Sequence, residues 1–444
     1  MLKRVQHDKI KFFKDSFNFF SFLFLIFGAI ACAVPPQDSL ERQQNSAEPA
    51  LRGSFMLSVQ KAPPHDIQSV HLAPKGNPAL PPVIKLHSPQ KLVLSFDYLS
   101  EQNRQFRVEV SHRSRDWQKS PIGPSVYLDS FFQTYIQGSE ESFSQQPAYQ
   151  HLEYEFPNPQ LRPIVSGNYL LEVYSYSGDE LLFSVPFFIT EDRGALQTRV
   201  ETIFAQRKDA HSLDQLFSTY RYPPFIEFPQ FDLGIAYTQN QFWGRMREAG
   251  FLNTFGRGEI SGHIDRNEAF ISDYEIKVLD LRSFVADGQQ VLEYRPGTTP
   301  PTVILRRDVQ NLDTNPRYFS ASGLGIPIDD RSSGYARVQF SLDTDAAVPH
   351  SANIYIVGDF NNWMINDLNK MSYDIQQNLW QGHALIKQGE YAYKYVLVEN
   401  GVMDDLALDQ GFLAPRQEYL TFVYFKDPTH NFDRLLKVGR VVSR

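Results

Sequence analysis

Short runs in which apolar and polar residues alternate are the feature that most limits what this chain can fold into. Within residues 91–98, Leu94 and Phe96 alternate with Ser95 and Asp97. Successive side chains of a strand point to opposite faces, so this pattern predicts strands with one buried face. Runs of the same kind occupy residues 106–112, 169–176 and 182–189.

Helical patterns are scarce by comparison. The best one spans residues 194–205, which is too short to anchor an α/β fold. The strand-like runs recur at the intervals typical of sandwiches and are bounded by Gly, Pro, Asn and Asp. No period of about 20–50 residues repeats, which argues against a propeller or a solenoid. The sequence therefore predicts an all-β, multidomain protein of tandem β-sandwiches of the immunoglobulin-like or early-set-like kind.

The chain has 444 residues, too many for one ordinary core. A first β-sandwich domain is predicted over residues 53–192, because a polar segment follows its last strand-like run. A second β-rich domain is predicted over residues 195–330. A third, early-set-like sandwich is predicted over residues 333–444, and it opens with an alternating run at residues 336–342.

The N terminus combines a basic lead, an apolar stretch and small residues before a cysteine. The apolar stretch spans residues 17–30, shorter than the ~20 residues that a membrane-spanning helix needs. The arrangement predicts an export signal over residues 1–31. Its closing Ala-Ile-Ala-Cys resembles a bacterial lipobox, which implies lipidation of Cys32; an ordinary signal cut after Ala31 is the alternative. Residues 32–52, rich in Pro, Gln, Ser and Glu, predict a flexible tether.

Charge and cysteine usage limit the partners and the source of stability. Export would remove five basic and two acidic residues, moving the formal charge from -8 to -11. An acidic body argues against a nucleic-acid partner, because phosphate binding needs clustered Lys and Arg. Cys32 is the single cysteine, so the mature body cannot form an internal disulfide. Its stability must come from packing.

Catalytic signatures are missing from the sequence. We find no Gly-x-Ser-x-Gly elbow, no phosphate-cradling glycine loop, no His-Glu-x-x-His and no cysteine nucleophile in the predicted body. The eleven histidines are scattered without metal-ligand spacing. The sequence therefore predicts a protein that is not an enzyme and that holds no cofactor or metal. Adjacent carboxylates lie in predicted loops, where solvation is the default: Glu140 with Glu141, Asp329 with Asp330, and Asp404 with Asp405. A hydrolase stays open as a further alternative, and it would need two carboxylates facing each other across a deep pocket.

One loop of the third domain carries a candidate binding motif. A strand-like run leads into Gly-Asp-Phe-Asn-Asn-Trp, which resembles early-set modules that bind starch or glycogen. An exposed indole could stack on a sugar ring, which would make the chain a surface lipoprotein that binds polysaccharide. Alternatively, the aromatic residues pack inside the sandwich and the asparagines form its turn. The candidate carbohydrate or interface residues are Asp359, Phe360, Asn361, Asn362 and Trp363.

An ordered set of short motifs resembles one family along nearly the whole chain, namely the plug protein of the Bacteroidota type IX secretion system. The resemblance is strongest in the first predicted domain. Further on it includes the alternating tyrosines of residues 387–395. The landmark residues of the first domain are Phe96, Asp97, Trp117, Pro157, Asn158, Ser166, Gly167, Asn168 and Tyr169.

The resemblance implies a role without catalysis. Plug proteins of this family bind the wide outer-membrane translocon barrel and occlude its periplasmic mouth when no cargo passes. The implied location is the periplasm, with the lipid on Cys32 holding the body at the outer membrane. Within this framework we expect Trp117 to close one end of the first sandwich. We also expect Asp404 and Asp405 to lie on the surface, where charge changes would alter association with the barrel.

The lipobox resemblance leads to a prediction about anchoring. Cys32→Ser should move the exported protein from the membrane pellet to the soluble fraction without changing its melting temperature, because the predicted tether carries no core residues. Fractionation followed by immunoblotting measures this. Wild-type protein that is already soluble after export would contradict lipidation.

Overall fold

The computed structural model describes residues 55–144, 146–176, 178, 180–205, 212–254, 258–286, 289–309, 326–327, 331–344, 348–399, 402–409 and 416–443. Over these residues the chain is built from strands, which confirms the predicted all-β fold. Its two α-helices there have four residues each: α1 (Pro124–Tyr127) and α2 (Pro229–Asp232). The predicted export signal, Cys32 and the predicted tether lie outside the described residues.

No helix in the described part of the chain is both long and apolar enough to cross a membrane.

The first sandwich contains nine strands in two sheets. Their order is β1-β3-β7-β6 in one sheet and β2-β9-β8-β4-β5 in the other. Alternating apolar residues from both sheets, among them Phe96, Phe106 and Phe183, meet in a continuous core. The strands are β1 (Ile67–Pro74), β2 (Val83–Lys85), β3 (Leu92–Tyr98), β4 (Phe106–Arg113), β5 (Gln133–Tyr135), β6 (Glu140–Glu141), β7 (Gln150–Phe156), β8 (Gly167–Ser175) and β9 (Leu181–Thr190).

The second sandwich begins with seven further strands. One of its sheets has the order β10-β11-β15-β14, with β16 also paired to β11. Strands β13 and β12 form one half of the other sheet. The strands are β10 (Ala195–Phe204), β11 (Ser212–Arg221), β12 (Leu233–Gln239), β13 (Arg247–Glu248), β14 (Phe251–Thr254), β15 (Glu259–His263) and β16 (Phe270–Ile271).

The third sandwich follows before the second is complete. One sheet has the order β17-β26-β21, with β23 and β27 also paired to β26, and the other has the order β18-β19-β22-β25-β24, with β20 paired to β22. The strands are β17 (Lys277–Asp280), β18 (Val291–Arg295), β19 (Thr302–Leu305), β20 (Asp308–Val309), β21 (Ile326–Pro327), β22 (Tyr335–Asp343), β23 (Asn353–Gly358), β24 (Ser372–Asp374), β25 (Leu379–Lys387), β26 (Gly389–Glu399) and β27 (Val402–Asp404).

The last two strands, β28 (Glu418–Lys426) and β29 (Asp433–Val442), return to the second sandwich. They complete its second sheet in the order β13-β12-β28-β29, with Leu233 opposite Phe425 and Gln239 opposite Tyr419. The core of the second sandwich accordingly mixes residues from before and after the third. The third sandwich is thus an insertion between β16 and β28.

The strand pairing therefore differs from the predicted division at residues 195–330 and 333–444. Strands β17 to β21 were assigned to the second domain but pair within the third sandwich, and β28 and β29 belong to the second. The physical reason is that alternation marks a strand and its buried face but does not identify the strand that pairs with it.

This topology predicts which fragments fold. Residues 195–330 alone should remain unfolded, because β12 would lack β28 and its apolar residues would stay in water. Residues 195–443 should fold cooperatively, since both the second and the third sandwich are then complete. Circular dichroism during thermal unfolding distinguishes them. A cooperative transition in the shorter fragment would contradict the insertion.

Candidate functional site

The loop of the candidate carbohydrate motif lies at the junction of the second and third sandwiches, and its two aromatic side chains are buried there. Phe360 lies in the core of the third sandwich, and the Trp363 side chain is only 8% exposed. The indole ring lies 5.0 Å from the rings of both Phe55 and Phe242, measured between centroids. Its face is therefore covered by protein and cannot serve as a platform for a sugar.

The polar residues of this loop hold the turn together. Asp359 accepts hydrogen bonds from the Trp363 indole nitrogen (2.9 Å) and from the Ala392 backbone nitrogen (2.6 Å). Asn361 accepts one from Gly358 N (2.9 Å) and donates one to a strand carbonyl. Asn362 adopts a left-handed conformation, with φ of 53°, which asparagine tolerates well. The pattern that suggested sugar binding is explained by turn geometry.

Among the family landmarks, Phe96 and Tyr169 lie in the core of the first sandwich. Asn158 forms the turn after the β7 strand, because its side-chain oxygen accepts hydrogen bonds from the backbone nitrogens of Gln160 and Leu161 (2.8 and 2.9 Å). Pro157 precedes it in the same turn. These four landmarks therefore specify the fold of the first sandwich.

Asp97 joins the first sandwich to the third. Its carboxylate is fully buried, with one oxygen 2.8 Å from the Lys387 ammonium and 2.7 Å from the Tyr335 hydroxyl. The other oxygen lies 2.6 Å from His151 Nδ1. Tyr149 lies beside this pair: the Lys387 ammonium sits 4.6 Å from its ring centroid, and its hydroxyl donates to a backbone carbonyl of the third sandwich. Both carboxylate oxygens therefore have polar partners: one oxygen contacts the third sandwich, and the other contacts His151 of the first.

Trp117 joins the first sandwich to the second. It is buried in a cluster with Phe188 of the first sandwich and Phe422 of the second, and its indole nitrogen lies 3.3 Å from Met246 Sδ. The expectation that it closes one end of the first sandwich is thus modified: the indole is covered by β28 and the segment before β13. Replacing Trp117 with a small residue would therefore leave a cavity at the junction of the two sandwiches and not in the core of the first.

The landmarks Ser166, Gly167 and Asn168 meet the same junction. The Ser166 hydroxyl accepts a hydrogen bond from a β29 backbone nitrogen (3.2 Å), and the Asn168 side-chain Oδ1 accepts one from the Tyr424 hydroxyl (2.9 Å). At Gly167, with φ of 147°, a Cβ would lie 2.3 Å from the His112 ring and 3.1 Å from the Asp433 carbonyl. Only glycine allows the two sandwiches to approach this closely.

His112 is buried beside these residues. Its Nε2 lies 3.2 Å from the Ser166 carbonyl, and its ring contacts those of Tyr169 and Phe432 edge-on. Burial lowers the pKa of His112 to about 4, opposed by the Ser166 hydrogen bond and the charge of Asp433. The imidazole is therefore neutral at pH 7 and donates its Nε2 proton to the carbonyl.

The junction of the second and third sandwiches contains buried charges that sequence analysis did not single out. Arg245 Nη1 lies 2.8 Å from an Asp405 carboxylate oxygen, which also accepts from the Tyr274 hydroxyl. Nearby, Lys394 pairs with Asp409, and its ammonium donates to the Glu275 carbonyl (2.7 Å). Burial raises the pKa of Asp409 to about 7, opposed by Lys394.

The expectation that Asp404 and Asp405 are surface carboxylates is therefore wrong for Asp405, which is buried against Arg245. Asp404 is partly exposed and accepts hydrogen bonds from the two backbone nitrogens that follow in its turn. Of the other carboxylate pairs, Glu140 contacts Arg331 (2.9 Å), and Asp329 and Asp330 lie outside the described residues.

The sequence pattern around the buried Lys394 gave no signal of its burial. The tyrosines at 391, 393 and 395 do share a face that points into the core of the third sandwich, as predicted. Lys394 therefore lies on the opposite face, where alternation indicates solvent. The second sandwich covers that face instead. Alternation cannot register a neighbour that packs on the polar side of a strand.

Two cavities lie along the junctions. One, of about 130 Å³, is lined by residues of all three sandwiches, including His71, Trp243 and Trp363. The other, of about 500 Å³, lies between the start of the first sandwich and the loop 360–369 of the third. Among the described residues, no three His, Cys, Asp or Glu side chains are grouped so that they could hold a metal ion.

A group of exposed aromatic side chains lies on the second sandwich. It comprises Phe225, Phe228 and Phe231, from the loop and helix between β11 and β12, and Phe251, at the start of β14. Helix α2 packs against β14, which brings Phe231 and Phe251 to the same side of the molecule. We call these four side chains the phenylalanine surface. Sequence analysis did not separate them from core aromatics.

The fold and contacts define a class: a protein of three β-sandwiches, one inserted into another, whose first sandwich is fixed to the other two by buried polar residues. Residues 67–191 match the family model described as "Type 9 secretion system plug protein 1st domain". The first sandwich is therefore a plug-protein first domain, which confirms the family resemblance. The match assigns the chain a plug-related role in that secretion system, in association with its apparatus, and it suggests an envelope or periplasmic location.

The fold is shared with a solved structure. A hypothetical protein from Parabacteroides merdae ATCC 43184 is 23% identical, with a TM-score of 0.77, over 88% of this chain and 100% of that chain. A Pseudomonas fluorescens alkylpurine DNA glycosylase, AlkC, is 14% identical over 28% of this chain and 30% of that chain, with a TM-score of only 0.16. No curated protein matches the chain.

The buried Asp97–Lys387 pair gives a prediction of stability. Asp97→Asn or Lys387→Met alone should destabilise the protein by ~3–5 kcal/mol, because each leaves a buried charge without its partner. The double variant should lose less than the sum of the two. As a matched control, Asp129→Asn, which breaks an exposed pair with Arg162 (2.5 Å), should cost below ~1 kcal/mol. Denaturant unfolding measures all four. Additive losses would contradict direct coupling.

His112 gives a prediction of pH dependence. Its folded pKa of about 4 lies below the ordinary value of 6.5, so the unfolded chain binds more protons between these values. Stability contributed by the neutral imidazole is therefore present above pH 6.5 and lost as the pH falls to 4, by about 3 kcal/mol. His112→Phe should lose this part of the acid sensitivity, whereas His430→Phe, which removes an exposed imidazole, should keep it. Unfolding at pH 7 and pH 4.5 measures the difference, and equal pH dependence in all three proteins would contradict it.

Proposed function

We propose that this protein is a non-enzymatic plug that binds the outer-membrane translocon barrel of the type IX secretion system and occludes its periplasmic opening. The observation that carries the proposal is the family match over residues 67–191. It covers the sandwich whose landmarks Asp97, Trp117 and Asn168 lie at the junctions with the other two. These contacts join the plug-type first domain to the other two sandwiches.

The junctions between the sandwiches support the proposal because they resist deformation. A pore wide enough for folded cargo would leak solutes if it stayed open, so a plug must resist deformation while it blocks the opening. The buried pairs Asp97–Lys387 and Arg245–Asp405 have short, directed contacts and exclude water. Such pairs are broken only at a large cost, which opposes sliding of one sandwich over another.

The proposal includes the absence of catalysis, the absence of a cofactor and anchoring through a lipid on Cys32. A tether would keep the plug at a high effective concentration near the opening after release. The plug must also leave the opening when cargo passes, which limits how tightly it can bind the barrel. A plug bound by more than ~12 kcal/mol would dissociate too slowly for cargo to pass unless another component displaced it.

The alternative of polysaccharide binding through the third sandwich loses its main support. That hypothesis needed an exposed indole at Trp363, and the ring is enclosed by Phe55 and Phe242. A variant of Trp363 would therefore disturb the junction instead of removing a sugar platform.

Deletion of the gene tests the proposed function. The translocon should still assemble but remain open on its periplasmic side, so cells should become sensitive to large antibiotics that the outer membrane normally excludes. Antibiotic sensitivity and dye uptake measure this. Expression of the exported body from Gly53 onward should restore the barrier, less efficiently than the full chain because the anchor is missing.

Purification supplies the matching biochemical result. The tagged wild-type protein, extracted in mild detergent, should bring the giant outer-membrane barrel with it. A normal permeability barrier in the deletion strain, together with no barrel in the purified sample, would show that the plug function is wrong.

A further inference from the structure

The phenylalanine surface is an anomaly for a protein in water. Phe228, Phe231 and Phe251 are 58%, 78% and 71% exposed, and Phe225 is 40% exposed. Single exposed apolar residues are ordinary, but a group of large ones marks a site that contacts another molecule. Phenylalanine is also among the residues enriched where protein interfaces are buried.

The chain holds these side chains outward by a fixed local structure. Ile226, between Phe225 and Phe228, is buried in the core of the second sandwich and anchors the loop. Pro229 begins α2, where its fixed φ suits the first turn, and the Phe231 backbone nitrogen donates to the Phe228 carbonyl (3.0 Å). A surface that is already ordered loses little entropy when a partner binds.

The phenylalanine surface is also continuous with the junction of the first and second sandwiches. The Phe225 ring lies edge-on to Phe425 (5.5 Å between centroids), and the Arg434 guanidinium lies 5.3 Å from the Phe225 centroid. Arg434 in turn makes a two-pronged contact with Glu191 at the end of the first sandwich, at 2.7 and 2.8 Å. The Phe225 end of this surface is therefore linked through Arg434 to the family-matched sandwich.

The charges around the phenylalanine surface identify the chemistry of the partner. Glu227 is exposed and Asp232 partly exposed, both between or beside the phenylalanines. The nearby arginines each face a carboxylate instead: Arg221 lies 3.8 Å from Glu259, and Arg193 and Arg434, which lie over the Phe225 ring, are 3.3 and 2.7 Å from Glu191. Acidic groups among the aromatics oppose insertion into an anionic lipid surface. They favour a protein surface with an apolar groove and a rim of Lys or Arg.

From this we infer that the phenylalanine surface is the face with which the protein docks on the translocon barrel, against an apolar groove with a basic rim at the periplasmic opening. The inference rests on the proposed function and assigns its contact surface. The phenylalanines fill the groove, and Glu227 and Asp232 face the basic rim.

Binding to the purified barrel in detergent tests the assignment. Phe228→Ser combined with Phe231→Ser should raise the dissociation constant roughly tenfold or more, because central aromatic residues carry most of the energy of an interface. The melting temperature should stay unchanged, since both side chains are exposed. Phe204→Ser and Ile375→Ser, matched controls that also remove highly exposed apolar side chains, should leave the dissociation constant within about twofold.

Charge reversal gives a second, independent readout. Glu227→Lys with Asp232→Lys should lower the association rate, and the difference from wild type should shrink as salt is added, because rim charges act on the encounter at long range. An unchanged association rate at low salt would contradict the basic rim.

Photo-crosslinking in cells separates the possible occupants of this surface. A photoreactive amino acid at position 228 or 231 should give a crosslink to the barrel, identified by mass spectrometry. Crosslinks to a second copy of the chain or to lipid alone would overturn the assignment. Wild-type protein that fails to bind the barrel would refute the proposed function itself. Normal binding by the Phe228/Phe231 double variant would overturn only the assignment of this surface.

Discussion

The antiparallel pairing of β12 with β28 is the contact on which the rest of the structure depends. It joins a strand before the third sandwich to one that follows it, so the second sandwich is complete only when the inserted sandwich has brought its two ends together. Strands β28 and β29 then supply the surface that covers Trp117 and receives Ser166 and Asn168. The first sandwich is therefore fixed in place by strands from the end of the chain.

Buried polar contacts define the arrangement of the sandwiches more sharply than apolar packing could. Apolar surfaces can slide with little change in free energy, whereas the Asp97 carboxylate meets Lys387, Tyr335 and His151 in one relative position only. Such a pair contributes little net stability, because the desolvation of both charges offsets their attraction. Its physical effect here is to penalise every other arrangement, which would suit the proposed plug function.

The landmarks of the plug family have two physical roles within the structure. Phe96, Tyr169 and Asn158 build the first sandwich, while Asp97, Trp117 and Asn168 attach it to its neighbours. The surface that we assign to docking comes instead from a loop and an edge strand of the second sandwich.

The sequence by itself determined the fold class and several strands with their buried faces, because alternation is a local property of the chain. It did not determine every strand: residues 194–205, whose pattern was the best helical one, contain strand β10. It also indicated the plug family through the order of its motifs. Only the tertiary structure decided that the third sandwich is inserted into the second, that Trp363 and Asp405 are buried, and that Phe228 and Phe231 are exposed. These outcomes depend on which strands pair and which faces a neighbour covers, and such contacts join residues far apart in the chain. No local pattern of residue types records them.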